Sequence, residues 1–244
     1  MDWPEPKAGG GKLLIRPKFQ ISSMPSTSRP TTTSTSTPKS RPKPPILTIG
    51  LTGGIGSGKS TVAKILTSRK GFALIDADAI SKSLTAPSGD AVGAIRAEFG
   101  SEFIASDNSM DRNKMRALVF EDPLAKKRLE AIIHPKILGQ IESQLSLAAE
   151  QGCKTVLIDI PLLAESHARW QTRLNGVLVV DCLVQTQVKR VMERSALEEA
   201  TVLKIIASQA PRDVRNALAN WIIFNEGLTL DELESKVLAI DFKI

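Results

Sequence analysis

Eight consecutive residues, Gly53-Gly54-Ile55-Gly56-Ser57-Gly58-Lys59-Ser60, place glycines, a lysine and a hydroxyl in the spacing G-x-x-x-x-G-K-[ST]. The glycines allow the backbone to curl into a nest whose N–H groups face inward, toward phosphate oxygens. A helix that opens at the end of such a loop adds its partial positive charge. Lys59 can then reach the β- and γ-phosphates of a nucleotide, and the Ser60 hydroxyl can ligate Mg²⁺. The expected nucleotide-binding stretch runs from Gly53 through Ser57 and Ser60 to Thr61. Kinases, GTPases and motor ATPases share this pattern, so it gives binding without naming the reaction.

A second constellation, Ile75-Asp76-Ala77-Asp78, follows the second apolar run. Phosphoryl transfer to a hydroxyl needs a carboxylate that orients the hydroxyl and takes its proton. In a doubly wound sheet the carboxyl ends of the strands face the ligand crevice, which would bring these acids to the γ-phosphate. The alternative is an Asx turn that caps the next helix. One aspartate can do each job: Asp76 fixing the turn, Asp78 pointing at the acceptor.

The elements that must position these groups are visible as short apolar runs. Ile46–Leu51 lies between prolines and glycines and suits a strand buried on both faces. It is expected to neighbour the second run, Phe72–Ile75. Thr155–Ile160, Val177–Val180 and Trp221–Phe224 repeat the type. Helical patterns lie between them: Ser57–Lys70, Ala91–Phe99, Asn113–Phe120, Leu124–Ile133, Lys136–Gln151, Gln185–Ser195, Glu198–Gln209 and Leu230–Ile240. Alternating strands and helices predict an α/β fold, a parallel sheet with helices on both faces.

Composition narrows the class further. The chain has 244 residues and a net charge of +6. Residues 1–45 hold eight Lys or Arg against two acids, so the remaining residues balance to zero. A fold without a basic excess argues against nucleic-acid binding. The longest apolar runs fall far below the roughly 18 residues of a membrane span. Two cysteines make no secreted disulfide framework and read as buried or half-buried thiols in a reducing compartment. The segment 25–45 contains nothing but Pro, Ser, Thr, Lys and Arg, cannot bury apolar surface, and is expected to be disordered with the rest of 1–45. That extension faintly resembles an organelle transit peptide, against which Asp2, Glu5 and the prolines count. A cytoplasmic protein is expected, with organelle targeting left open; a monomer is compatible with the sequence, which leaves the oligomeric state open.

LTGGIGSGKSTVA followed by IDAD closely resembles the dephospho-CoA kinases, and the likeness continues in order to about Ile240. Ile133-His134-Pro135 resembles that family's His-Pro element, and Ile160-Pro161-Leu162-Leu163 with Glu165 its P-L-L-x-E stretch. Val179-Val180-Asp181 resembles its V-V-D strand. Gln187, Arg190 and Arg194 resemble its lid, Gln209 and Arg212 the lid's return, and Asn225-Glu226-Gly227 its closing N-x-G. The resemblance implies a P-loop kinase fold over 46–244 with five parallel strands, a helical substrate-side insertion over about 84–152 and a helical lid over about 185–215. It implies that ATP with Mg²⁺ phosphorylates the ribose 3′-hydroxyl of dephospho-CoA, the last step of coenzyme A synthesis. By position, Asp78 is then the base. Arg190 and Arg194 close over the phosphates, and Asn225 lies on the nucleotide. Asp76, His134, Leu162 and Glu165 lie on the acceptor side.

Each carried-over role has a plainer alternative. Arg190 and Arg194, one helical turn apart, also fit a solvated face. His134 before Pro135 also fits the end of one helix and the start of the next. Asp159 resembles a Walker B carboxylate, holding Mg²⁺ directly or through water, and also fits a plain strand end. Ser195, Asn220 and Phe224 depart from the family pattern where acids are usual, which bears on lid detail. The rival functions are another small-molecule P-loop kinase, of the nucleoside monophosphate kinase kind, and a nucleotide-binding switch protein. A guanine-specifying N-K-x-D is not present.

Overall fold

The structure, a computed structural model, describes residues 46–243. The expected disorder of residues 1–45 falls outside them. Five strands, β1 (Leu47–Gly53), β2 (Ala73–Asp76), β3 (Thr155–Asp159), β4 (Gly176–Asp181) and β5 (Trp221–Phe224), form one sheet in the order β2-β3-β1-β4-β5. Every neighbouring pair is parallel, as expected. The expectation that β2 neighbours β1 is overturned, because β3 lies between them. Burial explains the order. Val156, Leu157 and Ile158 are all buried, so β3 needs cover on both faces, whereas β2 leaves Leu74 exposed and suits an edge.

The strand residues alternate between two cores. Ile49, Leu51, Leu157, Leu178 and Val180 pack on one face against Val62, Ile65 and Leu66 of α1 (Lys59–Lys70) and Leu233 and Val237 of α10 (Leu230–Ala239). Val156, Ile158, Val177 and Val179 point the other way. They meet α2 (Ala77–Leu84), α3 (Val92–Phe99), α4 (Arg112–Glu121) and α5 (Pro123–Glu150) through Ile80, Leu84, Ile95, Met115 and Ile141. This two-sided burial is the main stabilising term, about 1.5–3 kcal/mol for each fully buried large side chain. Both cysteines are free thiols, Cys182 buried and Cys153 half-buried.

The two helical patterns around His134 and Pro135 are one helix of 28 residues. Asp122 caps it, accepting from Leu124 N–H at 2.7 Å, and Pro123 takes the first position, where its missing N–H costs nothing. Pro135 removes one interior hydrogen bond. The helix persists because Ile132, Ile133, Ile137, Leu138 and Ile141 carry its apolar stripe across the proline onto the core. Between β3 and β5 the short helices α6 (His167–Trp170) and α9 (Arg212–Ala217) hold too few turns to show a period. With α7 (Val184–Ser195) and α8 (Glu199–Ala207) they complete the set. α7 and α8 carry a small core of their own, Val188, Val191 and Val202.

Candidate active site

The phosphate-loop sequence joins the end of β1 to the start of α1. Gly58, the N-cap of α1, sits in the left-handed region at φ 94°, and a Cβ there would meet Asn225 Nδ2 at 2.3 Å. Both the turn and the close approach require glycine. Among the described residues the N–H groups of Gly56, Gly58, Lys59 and Ser60 have no protein acceptor. The loop's carbonyls, by contrast, are held from outside. Gln187 Nε2 donates to Ile55 C=O at 2.7 Å, and Asn225 Nδ2 to Ser57 C=O at 2.8 Å. Arg190 Nη1 lies 3.4 Å from the carbonyls of both Gly56 and Ser57, and its Nη2 donates to Asn225 C=O at 3.1 Å. Fixing the oxygens outward turns the amides inward, which is what an anion nest needs.

Three carboxylates gather beside the loop. β2 and β3 run in register so that Asp76 pairs with Asp159 at the carboxyl edge of the sheet. The β3 insertion therefore supplies an acid between β2 and the loop, where the sequence reading had β2 itself beside β1. Lys59 Nζ forms an ion pair with the Asp159 carboxylate. Asp76 Oδ1 accepts from Ala79 N–H at 2.9 Å and caps α2, so one acid is the helix cap. Asp78, in the first turn of α2, is exposed as a residue, while neighbouring atoms partly desolvate its carboxyl. Partial burial, then repulsion from Asp76, raises its pKa above the usual carboxylate range, with Lys82 and Lys59 opposing. Burial likewise raises Asp159; Lys59 pulls against it, and Asp76 and Asp78 add to it. The cluster holds more negative charge than Lys59 offsets. Among the described residues no group of three or more His, Cys, Asp or Glu could by itself hold a metal ion; Mg²⁺ bound chiefly through substrate phosphates needs only one or two protein oxygens.

The remaining predicted residues are spread around this centre. Arg194 is exposed, and its bond is to Ser195 Oγ at 3.4 Å. Thr61 follows Ser60 in the first turn of α1. Leu162 is 50 % exposed in the loop after β3. In the same stretch, Glu165 Oε1 accepts from Ala210 N–H at 2.7 Å. His134 Nε2 faces Arg169 Nη1 at 3.0 Å; burial, then Arg169, lowers its pKa and keeps the imidazole neutral. Sequence reasoning did not single out Arg169, Arg215 or Asn216. Arg215 is buried and donates to Ala210 C=O at 2.6 Å. Asp181, also buried, takes Arg212 Nε on both oxygens at 2.8 and 3.0 Å, with Asn216 beside it. No local motif marks these residues, because their partners lie about 30 or more positions away or depend on the fold. Asn220, a departure from the family pattern, holds Val177 N–H at 2.8 Å, and Phe224 lies under the Arg212 guanidinium.

A parallel five-stranded sheet with a glycine-lysine phosphate loop, an acidic edge and a helical cover over the loop defines a P-loop kinase of small molecules. The family model described as dephospho-CoA kinase matches residues 47–231. The dephospho-CoA kinase of Albidiferax ferrireducens is 52 % identical over 192 residues, 79 % of this chain and 90 % of that one. That of Burkholderia pseudomallei is 48 % identical over 195 residues, 80 % of this chain and 94 % of that one. Among solved structures, a Thermus thermophilus protein superposes with a TM-score of 0.67 at 34 % identity, covering 80 % of this chain and 97 % of that one. The Campylobacter jejuni dephospho-CoA kinase does so with a TM-score of 0.57 at 26 % identity, covering 78 % and 93 %. The chain belongs to the dephospho-CoA kinase family.

Proposed function

We propose that this protein transfers the γ-phosphoryl group of ATP to the ribose 3′-hydroxyl of dephospho-CoA, giving coenzyme A and ADP, with Asp78 as the base. The observation that carries the assignment of roles is the split between the two aspartates of IDAD: Asp76 is committed to capping α2, while Asp78 is free of that duty and has a raised pKa. A carboxylate whose pKa is moved toward neutrality is a better proton acceptor. Asp78 orients the acceptor hydroxyl and takes its proton. The amides of Gly56, Gly58, Lys59 and Ser60 cradle the phosphates. Lys59 leaves Asp159 for the β- and γ-phosphates when ATP enters, and Thr61 closes the end of that cradle. Arg190, already at the loop, supplies charge to the transferring group, with Arg194 one turn further out. Asn225 holds the loop against the β5 end. Ser60 and Asp159 would hold Mg²⁺, which would supply positive charge to offset that of the phosphates.

Leu162 offers an apolar surface to the acceptor, and neutral His134 offers a polar edge beside the Arg169 cation. Chemistry of this kind needs no nucleic acid and no membrane, and no helix among the described residues is long and apolar enough to cross one. We place the protein in the cytoplasm. The test is ADP release from ATP and Mg²⁺ by purified protein, with dephospho-CoA, AMP or dTMP as acceptor. Turnover with dephospho-CoA alone is expected; preference for AMP or dTMP would transfer the protein to the nucleoside monophosphate kinases.

A further inference from the structure

Two short stretches of backbone are held by side chains from distant parts of the chain. Ile55, at the crown of the phosphate loop, has both peptide groups engaged. Its C=O accepts from Gln187 Nε2 of α7 at 2.7 Å, and its N–H donates to Gln209 Oε1 at 3.0 Å, just after α8. The next residue along, Ala210, donates its N–H to Glu165 Oε1 at 2.7 Å. Gln187 is 2 % exposed, and Gly54 makes room for it, since a Cβ at Gly54 would stand 2.2 Å from Gln187 Nε2. A continuous path thus runs from the loop after β3, through Glu165, Ala210 and Gln209, to the crown of the phosphate loop.

We propose that Glu165, Gln187 and Gln209 are positioning residues that fasten the lid corner to the phosphate loop, and that Glu165 affects ATP binding through Gln209 instead of touching the acceptor. This rests on the reading of the loop as the ATP site. Two successive peptide units are held, one on each side of Ile55. If the Ile55–Gly56 unit turned over, the Ile55 carbonyl oxygen would enter the nest in place of the Gly56 N–H and oppose the phosphates; Gln187 holds that carbonyl outward. Gln209 holds the preceding Gly54–Ile55 unit by its N–H, so the units on both sides of the Ile55 Cα are fixed. Glutamine is suited to both tasks because its neutral amide adds no charge beside a polyanion. A half-buried peptide group left without its partner loses a hydrogen bond, so loss of either amide would let the crown shift. Glu165 in turn fixes Ala210, and with it the Gln209 side chain's point of departure. A carboxylate engaged this way serves by its hydrogen-bond geometry, and its charge is incidental.

That distinction gives the test. Wild type, Glu165→Leu, Glu165→Gln, Gln209→Leu and the double leucine variant would be titrated with a non-hydrolysable ATP analogue. The KM values for ATP and dephospho-CoA would be measured separately. Glu165→Leu and Gln209→Leu should each weaken analogue binding about tenfold, the effect of one hydrogen bond, and raise the ATP KM in step. The dephospho-CoA KM should stay within about twofold. The double variant should be little worse than either single one, because both cut the same path. Glu165→Gln should bind like wild type, since its amide oxygen accepts the same bond. If the leucine variants lose thermal stability but bind the analogue normally, the path is merely structural and the proposal fails. It also fails if Glu165→Gln raises the dephospho-CoA KM while analogue binding holds, for then the charge touches the acceptor. A wild type that binds the analogue without turning over dephospho-CoA would sink the kinase reading and leave this inference standing.

Discussion

In the proposed mechanism Lys59 and Asp78 divide the chemistry between a mobile cation and a base with a raised pKa. Lys59→Ala should lower turnover by roughly 10³-fold or more with the fold intact, because no other side chain of the loop brings charge to the transferring group. Near-normal turnover in that variant would overturn the assignment of the loop. Asp76 and Asp78 make a second, pH-dependent prediction. Repulsion from Asp76 is the second influence that raises Asp78, after burial. Asp76→Asn keeps an oxygen for the cap but removes that charge, so the acid limb of the kcat profile should move to lower pH; a limb that stays in place would show that the two acids do not interact. Stability follows the same sign. A raised native pKa means that the folded state holds the proton more tightly than the unfolded chain. The Asp78 charge therefore costs stability above the ordinary carboxylate pKa of 3.8, and the cost fades as pH falls through the raised value. Asp78→Asn should accordingly raise the Tm at neutral pH, with the gain shrinking on acidification. A Tm that falls or does not move would contradict the raised pKa.

At the scale of elements, what was legible in the sequence was what neighbouring residues encode. The phosphate loop is consecutive and is legible residue by residue, and the strand runs are legible to within a residue or two; α2 is not among the helical patterns, and its cap appears only as the alternative use of the IDAD acids. The place of β3 was not, because it depends on both its faces being covered, which only the assembled layers decide. Pro135 inside α5 defeated a local rule for the same reason: tertiary packing of the apolar stripe outweighed one lost hydrogen bond. The contacts of α7 with the phosphate loop were legible only as a resemblance. Gln187 meets Ile55 across 132 positions, and no spacing rule reaches that far. The junction of α7 and α8 also contains a strained point. Ala196, the C-cap of α7, adopts φ 50°, a conformation that glycine takes without a Cβ clash. Ala196→Gly should raise stability by about 0.5–1 kcal/mol, read as a shift in the denaturation midpoint; a destabilised variant would mean that the turn is not strained.

For the whole molecule, charge and chemistry are separated along the chain. Residues 1–45 carry the entire basic excess, and the described fold begins at Ile46. Removal of residues 1–44 should leave kcat within about twofold, since β1 and every site residue remain; a loss of more than tenfold in a folded protein would tie the extension to catalysis. The sheet brings the phosphate loop, the acid of β3, Asp76 at the end of β2 and Asp78 just after it to one edge, and the helices over the loop fix its peptides. The central claim is that this edge phosphorylates dephospho-CoA with Asp78 as its base. Formation of coenzyme A by wild type and by Asp78→Asn in parallel, with ATP affinity measured on both, tests it most directly. The account predicts coenzyme A from the wild type and a kcat about 10²- to 10⁴-fold lower in Asp78→Asn, with ATP affinity little changed. Full kcat in Asp78→Asn, together with loss of activity in a folded Asp76→Asn, would contradict it.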